Sequence, residues 1–340
     1  MTEGGIYFGL SEDGYHADPA LSSSGIKTIL ASPEDYWWQS AMNPDRPTDD
    51  DTEAKYWGRA YHKRILEGKA AFDAAYCAAL DPVDFPDALR TADDIRAELK
   101  ARGKKVGGNK DELIVRAQAE MPDCQLWDVM REDYAQANAG RGMLSRETIA
   151  RLELAAAYIE KHPDLGRCFT GGAPEVSIFW HEEGIPMKAR LDYLKAKAQI
   201  DLKTFSNPQG KPIDKAIVHA VASGRYHVQA AVHSEAARRA VDFVREGRVF
   251  GDCDKDVLRR IAQNEERAFI FVFQKTVGAP VALAKELRKG SIFQCGRLAM
   301  EQGMTIWKKC RDTFGDGPWI LPRKIIEFDD AEFPAWTTEV

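Results

Sequence analysis

Residues 190–205, RLDYLKAKAQIDLKTF, read as two short strands, Met187–Leu194 and Gln199–Phe205, joined by a basic turn. Each strand carries one acid among apolar residues, Asp192 in the first and Asp201 in the second. Lys203 follows Asp201 at a spacing of two, which on a strand puts both side chains on one face. Ile200 and Leu202 mark the same strand as buried, and charge taken out of water needs a partner. One solution is ordinary ion pairing, Asp201 with Lys203 or Asp192 with Arg190. The other is a shared ligand. Carboxylates on adjacent strands can hold a divalent cation, and hard oxygen ligands with open positions suit Mg²⁺ or Mn²⁺. A lysine beside that cation can orient or deprotonate a water, or stabilise charge on a phosphoryl oxygen, as phosphodiester hydrolysis requires.

The rest of the chain bounds this reading. A length of 340 residues allows one large domain or two ordinary ones. With 44% hydrophobic and 29% charged residues, the composition is that of a soluble globular protein. The polar start MTEGGIYFGLSEDGYHAD and the lack of an eighteen-residue apolar run predict neither a signal peptide nor a membrane span. Six cysteines (77, 124, 168, 253, 295 and 310) are scattered without a CxxC pair. That spacing predicts no disulfide framework, no zinc knuckle and no four-cysteine iron–sulfur cluster, and a reducing cytoplasm as the setting. A net charge of −6 gives no global attraction to nucleic acid, so binding it would need a local basic patch.

Along the chain, the serines of PALSSSGIKTILASPEDYWWQS predict a capped helix, with Pro33 opening the next segment. The aromatic triplet Tyr36-Trp37-Trp38 reads as core or interface. NPDRPTDDDTEA is a polar, acidic loop, and AKYWGRAYHKRILEGKAAFDAAYCAAL reads as helix with Trp57, Tyr61, Ile65 and Leu66 on one stripe. Residues 81–90 are broken by prolines and mark a boundary. Helical sequence resumes at about 127, and PEVSIFW and the opening hairpin follow. Then come a helix in GRYHVQAAVHSEAARRAVDFVREG, a buried strand in RAFIFVFQK, a strand in APVALAKEL and a long amphipathic helix from Gly290. Strands and helices mix without regular βαβ alternation, which predicts an α/β (α+β) fold with a central mixed sheet flanked by helices.

Further polar residues converge on the same chemistry. His62, with Gly58 one turn before it, offers a nitrogen ligand from the apolar-striped helix. Tyr226 and Gln229 lie three apart on one helical face, among Val228, Ala230 and Val232, where a substrate phosphate would partner them. Glu175, at the head of EVSIFW, is another acid just ahead of the hairpin.

In order, LSSSGIKTILASPEDYWW, GRAYHKRILE, PEVSIFW, KARLDYL, QIDLKTF, GRYHVQAAVHSE, FIFVFQK and the terminal FPAW resemble the PD-(D/E)XK nuclease superfamily, specifically its exonuclease VIII (RecE-like) phage and prophage group. The resemblance covers roughly residues 20–80 and 140–340. It implies a restriction-endonuclease-like core and a Mg²⁺- or Mn²⁺-dependent DNA exonuclease with one or two ions per site. His62, Asp192 and Asp201 would be metal ligands, with the Leu202 carbonyl completing the shell. Lys203 would be the catalytic lysine, with Glu175, Tyr226 and Gln229 beside it. Leu191 stands where the superfamily's signature has proline. A ring-shaped homo-oligomer and a single-strand annealing partner are implied by the resemblance alone. An endonuclease of the same superfamily and a catalytically silent DNA-binding accessory protein are the alternatives.

Residues 91–120 resemble a SAP-like DNA-binding motif, in IRAELKARGKKVGGNKDELIVR. From Arg96 to Lys110, six basic residues (Arg96, Lys100, Arg102, Lys104, Lys105 and Lys110) face one acid, Glu98, a local +5 suited to phosphates. A Gly-rich turn lets backbone N–H groups approach a phosphate. The expected organisation is therefore residues 1–88 as the first part of the nuclease domain, 89–125 as a helical insert and 126–340 as the nuclease core.

Overall fold

The computed structural model describes residues 2–47, 52–325, 327–334 and 337. Residues 48–51 of the acidic loop and 335–336 of FPAW lie outside them. The strands are β1 (Gly5–Tyr7), β2 (Tyr76–Ala78), β3 (Gly142–Leu144), β4 (Ala173–Glu182), β5 (Ile185–Leu194), β6 (Ala198–Phe205), β7 (Val249–Phe250), β8 (Ala268–Lys275) and β9 (Ala282–Glu286). Seven form a mixed sheet in the order β7-β1-β4-β5-β6-β8-β9, and β2 pairs with β3 apart from it. β6 and β8 are parallel, and β4, β5 and β6 run antiparallel in turn. A parallel pair needs a crossover, supplied here by the helices Ile213–Ser223 and Tyr226–Arg245.

The period of two in RAFIFVFQK sorts β8 onto two apolar layers. Phe269, Phe271 and Phe273 pack with Ile217, Ala230 and Phe293 on the crossover side. Val272 packs on the other side with Ile200, Leu202, Ala60, Tyr61, Leu152 and Ala156. Helices therefore cover both faces, which is why this strand reads as a continuous apolar run. Helix Tyr226–Arg245 is the central support. Its Val228, Val232, Ala236 and Ala240 share the largest core cluster with Val176, Leu191, Met304 and Trp307. Helix Ser291–Phe314 crosses it so closely that a Cβ on Gly296 would meet the His227 carbonyl oxygen. At the chain's start, Ser22 and Ser32 cap the helices Ser23–Ala31 and Pro33–Gln39 as expected. Tyr36 and Trp37 are buried, whereas Trp38 is exposed.

The structure corrects several sequence expectations. The single helix expected over 54–80 is a helix Glu53–His62, a π-helical turn Lys63–Glu67, a second helix Lys69–Ala75 and then β2. Gly68 makes the break, at φ +88. The helical stretch after 127 divides into Trp127–Ala137 and Arg146–Lys161 around β3. The helices Ile213–Ser223 and Lys255–Ala262, and the short strands β1 and β7, were not legible.

Two helices, Ala92–Ala101 and Lys110–Glu120, form the insert, each begun by a capping box. They enclose a small core of Ile95, Leu99, Leu113, Ala117, Met121 and Leu126. Folding pairs four of the six cations of the run with acids. Arg96 pairs with Asp93, Arg102 with Glu98 and Asp123, Lys104 with Glu120 and Lys110 with Asp128. Over residues 91–128, seven basic residues meet eight acidic ones. Acids just outside the 96–110 window supply the balance. Among the described residues, Lys100 and Lys105 are the cations of that window left without an acid. No helix among the described residues is long and apolar enough to cross a membrane.

Candidate active site

β5 and β6 pair through Tyr193–Ile200 and Leu194–Gln199, beside their turn, and then separate. Asp192 takes over where the ladder stops, its Oδ2 accepting the Leu202 N–H at 2.7 Å. A buried N–H that has lost its strand partner needs such an acceptor. The bond ties the first acid to the backbone of the second strand. His62, at the end of its helix, brings Nδ1 to 4.0 Å from the same Asp192 oxygen. The π-helical turn follows directly, a distortion frequent at functional sites. Buried Arg64 anchors that turn to helix Arg146–Lys161 through Glu153, at 2.9 Å, and Glu160, at 2.9 Å.

Asp201 is 2% exposed and doubly held. Lys203 Nζ lies 2.5 Å from its Oδ2, and Gln229 Nε2 donates to its Oδ1 at 2.7 Å. The spacing of two thus does place Asp201 and Lys203 together. Gln229 finds its partner in this carboxylate, within the chain, rather than requiring a phosphate. The Tyr226 ring centroid is 5.4 Å from Lys203 Nζ and 5.8 Å from Lys27 Nζ, and Lys27 also donates to the Gly224 carbonyl at 3.2 Å. Lys27, in the GIKTIL segment, had given no sign in the sequence of reaching this centre.

Glu175 stands in β4 at φ +49, between the register pairs Pro174–Tyr193 and Val176–Leu191, and so opposite Asp192. Its Oε2 pairs with Arg190 Nε at 2.9 Å. Of the two ion pairs the sequence offered as an alternative to a shared cation, Asp201–Lys203 forms, whereas Arg190 pairs with Glu175 rather than Asp192. One ligand atom each from His62, Glu175 and Asp192 lie within 4.8 Å of one another. This trio differs from the expected His62, Asp192 and Asp201. Asp201 lies alongside, paired with Lys203 and Gln229.

The electrostatics of the cluster show a deficit of positive charge. Burial, and then the Asp192 carboxylate, push Glu175 up to about 8, against Arg190. Burial raises Asp192 as well, opposed by Lys203 and the Leu202 N–H. Asp201 rises to about 6, by burial and by Asp192, although Lys203 pulls the other way. His62 is pushed down to about 4, first by burial and next by Lys203, so its imidazole is neutral and able to ligate. Burial works against the Lys203 ammonium, but Asp201 and Asp192 outweigh it and hold its pKa above the ordinary value. Carboxylates forced toward protonation beside a neutral imidazole are what a divalent cation would relieve. The donor set, one nitrogen and carboxylate oxygens, fits Mg²⁺ or Mn²⁺, with the nitrogen favouring Mn²⁺.

No curated protein matches the sequence. Among solved structures, the fold is similar to that of a "putative exonuclease" from Eubacterium rectale, at 13% identity and a TM-score of 0.46, over 94% of this chain and 96% of that one. The family model described as "PDDEXK-like domain of unknown function (DUF3799)" matches residues 22–247, well over half of the chain and inclusive of every residue of the cluster. The chain belongs to this PDDEXK-like family.

Proposed function

We propose that the protein is a divalent-metal-dependent deoxyribonuclease that degrades linear DNA from its ends. The observation that carries this reading is the cluster of His62, Glu175 and Asp192 beside the Asp201–Lys203 pair, in a PDDEXK-like chain. In this reading His62, Glu175 and Asp192 hold the cation, with Asp201 and the Leu202 carbonyl at its border. The chemistry a divalent cation supplies there is polarisation of a phosphoryl group and a nucleophile available at neutral pH.

The chain's own groups do the rest. Asp201 fixes the Lys203 ammonium, which keeps donors for a phosphoryl oxygen as charge grows on it. Gln229 keeps Asp201 from rotating away, and the Tyr226 ring lies against the lysine. The insert serves as a secondary DNA contact through Lys100 and Lys105, with Arg102, Lys104 and Lys110 contributing where phosphates displace their acids. Resemblance to the RecE-like group supports a phage or prophage recombination setting in a bacterial cytoplasm, a ring-shaped homo-oligomer and a single-strand annealing partner.

End-labelled linear and closed circular duplex DNA, each with Mg²⁺ and with chelator, test the proposal. Degraded linear DNA beside an intact circle is the expected result. Cleavage of both forms would indicate the endonuclease, and cleavage of neither the silent DNA-binding protein.

A further inference from the structure

We propose that Arg190 is a positioning residue for the metal site, holding Glu175 in the aim that brings its carboxylate to His62 and Asp192. The inference rests on the metal-dependent reading above. Three non-glycine residues among those described have φ in the left-handed region: Glu175, Glu183 and Arg225. Glu183 sits in the tight turn between β4 and β5, where such a backbone is demanded. Arg225 stands at the N-cap of helix Tyr226–Arg245. Glu175 alone has ladder pairs on either side, at Pro174 and Val176. No turn requires its conformation, so its surroundings must impose it.

Arg190 is what the surroundings offer. Its Nε lies 2.9 Å from Glu175 Oε2, and no other ion pair to Glu175 exists among the described residues. The guanidinium is itself fixed from two further sides. It donates to the Leu10 carbonyl and lies 5.5 Å from the centroid of the buried Tyr15 ring. Its side chain is 16% exposed. The geometry therefore runs from the chain's first residues, through a locked arginine, to the third member of the cluster. The Glu175 and Asp192 carboxyl groups stand opposite each other on neighbouring strands, and the Arg190 guanidinium sits on Glu175. A ligand already aimed need not be ordered when the cation arrives. Arginine suits the task because a planar fork reaches Glu175 and Leu10 together, which an ammonium cannot reproduce.

Calorimetric titration of Mn²⁺ into the metal-free full-length protein tests this, with Arg190→Gln, Arg190→Lys, Glu175→Gln and the Arg190→Gln/Glu175→Gln double variant. Arg190→Gln and Glu175→Gln should each weaken Mn²⁺ binding by about tenfold or more. The double variant should be no weaker than Glu175→Gln alone, because Arg190 acts through Glu175. Arg190→Lys, which keeps the charge and the stem, should fail to restore wild-type affinity, and it carries the test if Arg190→Gln does not fold. Additive losses in the double variant, or unchanged or tighter Mn²⁺ binding by Arg190→Gln and Arg190→Lys, would overturn the positioning role and leave the metal reading intact. A wild-type protein that binds no Mn²⁺ would overturn both.

Discussion

Lys203 and Asp201 meet 2.5 Å apart because a strand repeats every two residues, and that much was written in QIDLKTF. The helical period, at a spacing of three, likewise put Tyr226 and Gln229 on one face of their helix. Glu175 was harder to read. Its place depends on cross-strand register and a left-handed backbone, neither of which leaves a trace in PEVSIFW, and the same register sets Arg190 beside Glu175. Lys203→Ala should retain Mn²⁺ binding and lose turnover on the order of 100-fold or more, with Lys203→Arg no better, as single-turnover kinetics would establish. Near-normal turnover would remove Lys203 from the chemistry. The carboxylates also set a pH dependence. Glu175, at about 8, and Asp201, at about 6, bind protons in the native state that the unfolded chain releases near pH 4. The stability these two groups contribute to the metal-free protein is then present at low pH and lost as pH rises through these values. His62, at about 4, and His233, at about 3, work the other way up to the titration of unfolded histidine, so thermal unfolding should show a falling midpoint from about pH 7 to about pH 8, and a stabilisation by Mn²⁺ that grows over the same range. A midpoint that rises across that range without metal would contradict the electrostatics of the cluster.

At the scale of elements, strong patterns were legible and short or distorted pieces were not. RAFIFVFQK announces a strand buried on both faces because its two alternating sets, Phe269-Phe271-Phe273 and Ile270-Val272, are both apolar. β1 and β7 have three and two residues, too few to show a period. The helix over 54–80 was misread because a π-helical turn keeps helical composition while shifting the face that follows it. That shift leaves His62 at the site and turns Arg64 toward Glu153. The crossing at Gly296 makes a separate prediction. An added Cβ meets the His227 carbonyl, which belongs to the first turn of the helix that carries Tyr226 and Gln229. Gly296→Ala should therefore destabilise the protein by about 1–3 kcal/mol in denaturant unfolding. It should also slow cleavage, because the helix must move where it holds Asp201. A fully active, equally stable Gly296→Ala protein would show that the crossing has slack.

Over the whole molecule, charge is what the linear sequence misrepresented most. The basic run between Arg96 and Lys110 reads as a local +5 because Asp93, Glu120, Asp123 and Asp128 lie outside it and pair with it only after folding. If the insert contacts DNA, Lys100→Gln with Lys105→Gln should weaken affinity and flatten its salt dependence more than Lys104→Gln with Lys110→Gln. The latter pair should chiefly loosen the insert. Binding isotherms at several salt concentrations separate the two, and equal effects would argue for a patch that ignores its ion pairs. The central sheet was more legible than the basic run, because its strands carry strong apolar periods while surface charge depends on folding. The most direct measurement of the nuclease reading follows Mn²⁺ binding and the release of nucleotides from end-labelled linear duplex DNA in the same preparations, wild type against Asp192→Asn. Among the described residues, Asp192 is the acid that both pairs with His62 and accepts from the backbone of β6. The expected result is metal-dependent nucleotide release by the wild type, and the joint loss of Mn²⁺ binding and release in a folded Asp192→Asn protein. Release that persists in Asp192→Asn or in the presence of chelator would contradict the nuclease assignment of this site.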